Sequence, residues 1–240
     1  MKKLGHLGVY TSLVFLSVYL PELGVVHLTK FLGWGIDGYS VISLIWELVL
    51  VVLFVFWLKK KEMLYILKKS SKKSRFFYLV VGLVATYFVR QLVDAFQIQY
   101  HYLVDNKYIF QDLLSILYSN RQPTFLSTVL SFSLTVVVAP ISEELIDRGY
   151  FMNTFFHQSK YYLDVILSAL IFGLSHLILT HRDPISLIIY ILVGLFFALV
   201  YRWTKNLKIT ILCHSFFNFL IYAKPIWIFV YNYVYYHFFR

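Results

Sequence analysis

The chain has 240 residues, 60% of them hydrophobic and 20% aromatic, with a mean hydropathy of +0.70; this composition excludes an ordinary soluble enzyme and describes a polytopic membrane protein. Its formal net charge of +10 needs no nucleic acid to explain it, because lysine and arginine gather in the cytoplasmic loops of membrane proteins, close to anionic headgroups. The lone cysteine, Cys213, excludes an internal disulfide and a multi-cysteine metal site, and reads as a small helix-packing residue.

About 20 apolar residues suffice to cross the hydrocarbon core, and charged or Pro/Gly-containing breaks divide the chain into about eight such stretches. The first, Leu7 to Thr29, follows Lys2 and Lys3 and lacks a small-residue cleavage site, so it reads as a retained span rather than a signal peptide. The second and third run from Tyr39 to Leu58 and from Phe76 to Ile98. Within these three, Glu22 and Glu47 have no evident role, whereas Arg90 and Asp94 are spaced as an i,i+4 ion pair. The fourth, Phe125 to His157, is overlong and holds Pro140, so it is expected to kink, tilt or leave the membrane. Four more follow: Tyr162 to Leu179, Pro184 to Tyr201, Ile209 to Tyr222, and Pro225 to Phe238. With no internal repeat or low-complexity tract, the expectation is one all-α transmembrane domain over residues 1–240, its active site inside the helical bundle.

Basic residues set the orientation. With the N-terminus inside, 15 lie on the inner side, among them Lys2, Lys3, Lys59, Lys60, Lys61, Lys68, Lys69, Lys72, Lys73, Arg75, Lys160, Arg202, Lys205, Lys208 and Arg240. Five lie outside, namely Lys30, Lys107, Arg121, Arg182 and Lys224, while Arg90 and Arg148 fall within spans. The asymmetry predicts an integral protein of a bacterial cell membrane with both termini cytoplasmic. The loop from Lys59 to Arg75 is expected against anionic headgroups, with peptide docking as the alternative.

Ionised side chains are costly in a bilayer interior and persist where they line a wet cavity or meet a partner. The fourth span carries Glu143, Glu144, Asp147 and Arg148. Residues four apart on a helix share a face, so Glu144 stacks on Arg148, while Glu143 projects about 100° away and becomes the candidate base. The alternative is a structural Glu-Arg clamp. His176 and His214 each lie in an apolar span where an imidazole needs a partner. His214 and Asn218 share a face and can both donate to one developing oxyanion. Counted from the inner ends, Glu143 and His176 lie about 20 Å deep, and His214 and Asn218 about 10 to 15 Å. Asp147, four residues after Glu143, is expected to turn toward polar protein or the interface, because a second unpaired acid in the cavity is costly.

Three motifs in order, Glu143-Glu144-x-x-x-Arg148, Phe172-x-x-x-His176 and His214-x-x-x-Asn218, make the stretch of about 124–222 resemble the CAAX proteases and bacteriocin-processing enzymes, the CPBP or Abi family. The resemblance implies a glutamate-dependent intramembrane endopeptidase. It assigns water activation to Glu143 with His176, oxyanion stabilisation to His214 and Asn218, and support to Glu144 and Arg148. Asp147 departs from the aromatic or apolar residue common in that family at its position.

Rival hydrolytic chemistries find less support in the sequence. His-Glu-x-x-His is absent, as are Gly-x-Ser-Gly and Gly-x-Gly-Asp. No cofactor is expected, although Glu143, His176 and His214 are legitimate zinc ligands and form the metal alternative. The expected substrate is a membrane-associated peptide or protein. A second class of function is a non-proteolytic membrane factor for bacteriocin immunity or sensor regulation; a transporter is a third, weakened by the absence of a repeat. Substrate sequence, partner proteins and oligomeric state are not encoded in any motif.

Overall fold

The computed structural model describes residues 2–63, 75–104, 124–156, 158–176 and 184–238. Lys68, Lys69, Lys72 and Lys73 of the expected basic loop, together with Lys107, Arg121, His157, Leu179, Arg182 and Arg240, lie outside these residues. The protein is an all-α polytopic membrane protein, and no strand occurs among the described residues. Helix α1 (Lys2–Val14) continues through π-helical turns at Phe15–Tyr19 and Pro21–Val25 into α2 (Val26–Phe31). Then follow α3 (Gly35–Lys60) and α4 (Arg75–Val104). Helix α5 is the long segment Phe125–Phe155, and α6 (Leu163–Ser175), α7 (Pro184–Thr204) and α8 (Leu207–Phe238) complete the bundle.

Among the described residues, four helices are long and apolar enough to cross a membrane: Gly35–Lys60, Phe76–Phe96, Phe125–Phe155 and Pro184–Thr204. A fifth crossing results if the pair Leu4–Tyr19 and Leu23–Phe31, bent by 48°, counts as one span. The break lies at Pro21, whose missing N–H and bulky ring disfavour a straight helix. Two expected spans appear as shorter apolar helices. Helix α6 ends at Ser175 rather than at Leu179, and 13 residues reach about 20 Å, short of a full crossing. His176 therefore sits at a helix end deep in the bundle. The expected seventh and eighth spans are one continuous helix, Leu207–Phe238, which runs through Pro225 without a break. A charge and a proline at Lys224-Pro225 read as a loop in the sequence, yet the helix continues through both, since a proline within an apolar helix can be accommodated without ending it.

The ends of the bundle differ in charge. Leu58, Met152, Tyr201 and Leu207 belong to one buried cluster, which gathers the basic ends of α3, α7 and α8 (Lys59, Lys60, Arg202 and Lys208) at the same end of the bundle. There Arg202 pairs with Asp164 and donates to the Ser159 carbonyl at 2.9 Å. Elsewhere Thr124, the N-cap of α5, forms a capping box with Ser127 and hydrogen-bonds Asp37 in the first turn of α3.

Two glycines set the approach of α6 to α7. A Cβ on Gly173 would lie 2.4 Å from Ile191 Cγ1 and 3.1 Å from its backbone nitrogen, and one on Gly194 would lie 3.2 Å from the Ala169 carbonyl. Small residues let apolar helices pack backbone to backbone. The close fit brings the Gly194 carbonyl within reach of Arg148 on α5, which donates to it at 2.9 Å.

Candidate active site

Pro140 shapes the segment that carries the carboxylates. From Leu134 to Val138 the α5 backbone is π-helical, and the Ala139 N–H reaches back five residues to the Leu134 carbonyl. In that register the Thr135 carbonyl would receive the N–H of residue 140, which proline lacks. Asn218 of α8 fills the gap, its Nδ2 donating to the Thr135 carbonyl at 2.9 Å. The amide so ties α8 to the turn that precedes Glu143.

Beyond this turn Glu143 and Glu144 diverge as their helical spacing requires. Glu144 is fully buried, whereas the Glu143 side chain keeps 18% of its surface. Glu143 lines a cavity of about 300 Å³ together with Arg90, His176, His214 and Asn218. Its Oε2 lies 4.0 Å from His176 Nε2 and 3.8 Å from His214 Nε2, and accepts no hydrogen bond among the described residues. Both separations exceed a direct hydrogen bond and suit one bridging water-sized oxygen.

Each imidazole is oriented from behind. His176 Nδ1 lies 2.7 Å from the Phe172 carbonyl, which only accepts, so Nδ1 carries hydrogen and Nε2 faces Glu143. Tyr190 stacks on that ring with centroids 4.4 Å apart. His214 Nδ1 donates to Glu144 Oε1 at 2.9 Å, while Phe197 stacks on its other side at 4.4 Å.

Behind His214 lies the ion network. Arg148 Nη1 is 3.1 Å from Glu144 Oε1 and 3.7 Å from Asp147 Oδ2. The 3.1 Å contact is an ion pair without hydrogen-bond alignment, since Nη1 has no hydrogen-bond partner. The guanidinium lies between Phe172 and Phe197, 4.7 and 5.9 Å from their centroids. Asp147 turns away from the cavity to accept a 2.8 Å hydrogen bond from Tyr10 of α1.

The structure thus gathers Glu143, His176, His214 and Asn218 around one cavity and sets Glu144 and Arg148 behind it. Sequence reasoning missed three things. The Glu144–His214 contact bridges α5 and α8 across 70 positions, and no local spacing reveals it. Glu47 and Arg90 also line the cavity; their signal was charge within an apolar span. Glu47 accepts from Ser17 at 2.7 Å, and Ser17 is 3.1 Å from Ser142, next to Glu143. Among the described residues no three His, Cys, Asp or Glu side chains are grouped to hold a metal ion. Donors around a tetrahedral zinc at about 2.0–2.1 Å stand about 3.4 Å apart, closer than the 3.8 and 4.0 Å observed here.

A family model described as type II CAAX prenyl endopeptidase Rce1-like matches residues 125–220. An uncharacterized protein of Mycoplasma capricolum is 35% identical over 95 residues, 39% of this chain and 27% of the relative. The Bacillus subtilis protein named "Putative membrane peptidase YdiL" is 29% identical over 89 residues, 37% of this chain and 34% of the relative. The UPF0177 protein YbdI of Lactococcus lactis is 33% identical over 103 residues, 43% of this chain and 53% of the relative. The chain spans between about a quarter and about half of the length of these relatives. No solved structure matches. The matched stretch, residues 125–220, is the one that holds the three motifs, and it is similar in sequence to the type II CAAX prenyl endopeptidase Rce1-like model.

Proposed function

We propose that this protein is an intramembrane endopeptidase that hydrolyses a peptide bond in a membrane-associated peptide or protein through a water activated by Glu143. The observation that carries the reading is the convergence of His176 Nε2 and His214 Nε2 on Glu143 Oε2 at 4.0 and 3.8 Å in a cavity of about 300 Å³. A water there donates one hydrogen to the Glu143 carboxylate and the other to the lone pair of neutral His176. Glu143 takes the first proton as the water oxygen attacks the scissile carbonyl. His214, held from behind by Glu144 at Nδ1, directs Nε2 at the developing oxyanion. Asn218 uses one amide hydrogen on the Thr135 carbonyl and offers the second to the same oxyanion. When the tetrahedral intermediate collapses, the C–N bond breaks and the proton held by Glu143 passes to the leaving amine. The products are a carboxylic acid and an amine.

No metal enters this scheme; the nucleophile comes from general-base catalysis by a carboxylate and an imidazole. The basic asymmetry of the sequence supports an orientation with both termini in the cytoplasm. Mass spectrometry of peptides incubated with purified wild-type and Glu143→Gln protein in lipid tests the proposal: wild-type fragments absent from the variant are expected. Equal fragments from both would refute the role of Glu143.

A further inference from the structure

The half of the chain preceding residue 125 contributes charge to the cavity, and one element of it has no counterpart elsewhere in the wall. Arg90, on α4, is the one lysine or arginine among the lining side chains; Glu47 and Glu143 are the acids. Its side chain is 13% exposed. It stands about 21 Å along α4 from Phe76 and about 9 Å from the Phe96 end, within a span where an arginine is costly and marks a substrate path or a partner.

The local environment explains the retention of Arg90 only in part. Nη2 pairs with Asp94, one turn further along the same helix, but the Asp94 side chain is 38% exposed. Nε is buried and has no hydrogen-bond partner among the described residues. The guanidinium lies 5.1 Å from the Phe217 centroid, so the ring next to Asn218 holds the cation against the wall that carries the reacting groups. A planar fork with unused donors, fixed by stacking in a low-dielectric wall, matches a carboxylate better than an ammonium or an apolar side chain would. Glu143 and Glu47 line the same cavity and repel an anion, which leaves Arg90 as the lysine-or-arginine cation of the wall able to receive a carboxylate.

We propose that Arg90 is a specificity-determining residue that anchors a carboxylate of the substrate peptide, leaving the scissile carbonyl at Glu143. The inference rests on the endopeptidase reading and adds the substrate's chemistry to it. The carboxylate belongs either to the peptide's C-terminus or to an acidic side chain, and both offer the same two oxygens. Asp94 occupies one N–H of the fork in the free protein and competes with the incoming group.

The test uses three fluorescein-labelled apolar decapeptides of one sequence: a free carboxylate end, a carboxamide end, and a carboxamide end with one glutamate near it. Binding is read by anisotropy on full-length Glu143→Gln protein in lipid nanodiscs. A carboxylate-bearing peptide is expected to bind about tenfold or more tightly than the plain carboxamide, the usual scale of a hydrogen bond to a charged group. Preference for the first or the third peptide identifies which carboxylate is read. Adding Arg90→Gln should abolish the difference, Arg90→Lys should restore part of it, and Asp94→Asn should widen it by freeing the guanidinium. Asp94→Asn keeps the test decisive if Arg90→Gln folds poorly. Equal binding of all three peptides, absence of binding, or a difference indifferent to Arg90 and Asp94 overturns the proposal. Carboxylate-dependent binding without Glu143-dependent cleavage by the wild type sinks the endopeptidase reading alone, and cleavage indifferent to the carboxylate sinks only the role of Arg90.

Discussion

Arg148→Ala and Glu143→Gln should separate the framework of the site from its reacting group. Arg148 is fully buried, contacts Glu144 and Asp147, donates to the Gly194 carbonyl and lies between Phe172 and Phe197. Truncation leaves two buried carboxylates without their cation and one carbonyl without its donor. Removing one member of a buried ion pair costs about 3–5 kcal/mol, a large share of the roughly 5–15 kcal/mol that holds a folded protein together. At about 2–4 °C per kcal/mol for a chain of this size, the loss corresponds to a fall on the order of 10 °C in melting temperature. Glu143 Oε2 has no hydrogen-bond partner to lose, so an isosteric amide should shift stability by less than about 0.5 kcal/mol. Fluorescence-detected size exclusion after heating, on both variants in the same detergent, gives the folded fraction, and peptide cleavage gives activity. Arg148→Ala is expected to lose monodisperse yield and activity together. Glu143→Gln is expected to keep its yield and lose its activity. Equal loss of yield in both, or a full melting temperature for Arg148→Ala, would refute the division between framework and base and favour a purely structural clamp.

Activity should survive EDTA or 1,10-phenanthroline followed by dialysis, with well under one zinc per chain by elemental analysis; reversible loss restored by stoichiometric zinc would turn Glu143, His176 and His214 into ligands. In a Cys213→Ser background, Lys3→Cys should resist an impermeant thiol reagent applied to intact cells, as the basic asymmetry requires. Arg240→Cys should likewise be protected if both termini are cytoplasmic, and labelling of either site from outside would overturn that orientation. Tyr10→Phe deletes the 2.8 Å hydrogen bond to Asp147 and should cost about 1–3 kcal/mol, seen as a lower melting temperature; an unchanged melt would show that Asp147 is satisfied without α1.

The legible part of the site was what helical periodicity encodes. Glu144 and Arg148 are four apart and do pair, and Glu143 diverges from them toward the cavity as a 100° step demands. Hydropathy likewise conveyed the all-α membrane architecture. It did not convey how many crossings there are, because window averages register apolar length and not whether a helix continues. The run after Ala223 looks like a separate span, yet it extends α8. Contacts between distant helices were equally hidden. His6 and Tyr10 lie at the start of an apolar stretch with no motif of its own, and only packing brings them to Tyr150 and Asp147.

Asn218 joins the two levels. Its sequence position, four after His214, suggested two donors for one oxyanion, and the fold gives one of its amide hydrogens a different acceptor, the Thr135 carbonyl. That acceptor exists because Pro140 has no N–H to offer in the π-helical register set by Leu134 and Ala139. A proline that reads in the sequence as a kink thus specifies a carbonyl in need of a partner, and an asparagine on another helix supplies it. The same bond fixes α8, and with it His214, relative to the turn that presents Glu143. In the proposed scheme, oxyanion donation and helix docking draw on one side chain. Replacing Asn218 by alanine therefore removes both a transition-state donor and the register of α5 against α8, a coupling that spacing alone leaves invisible.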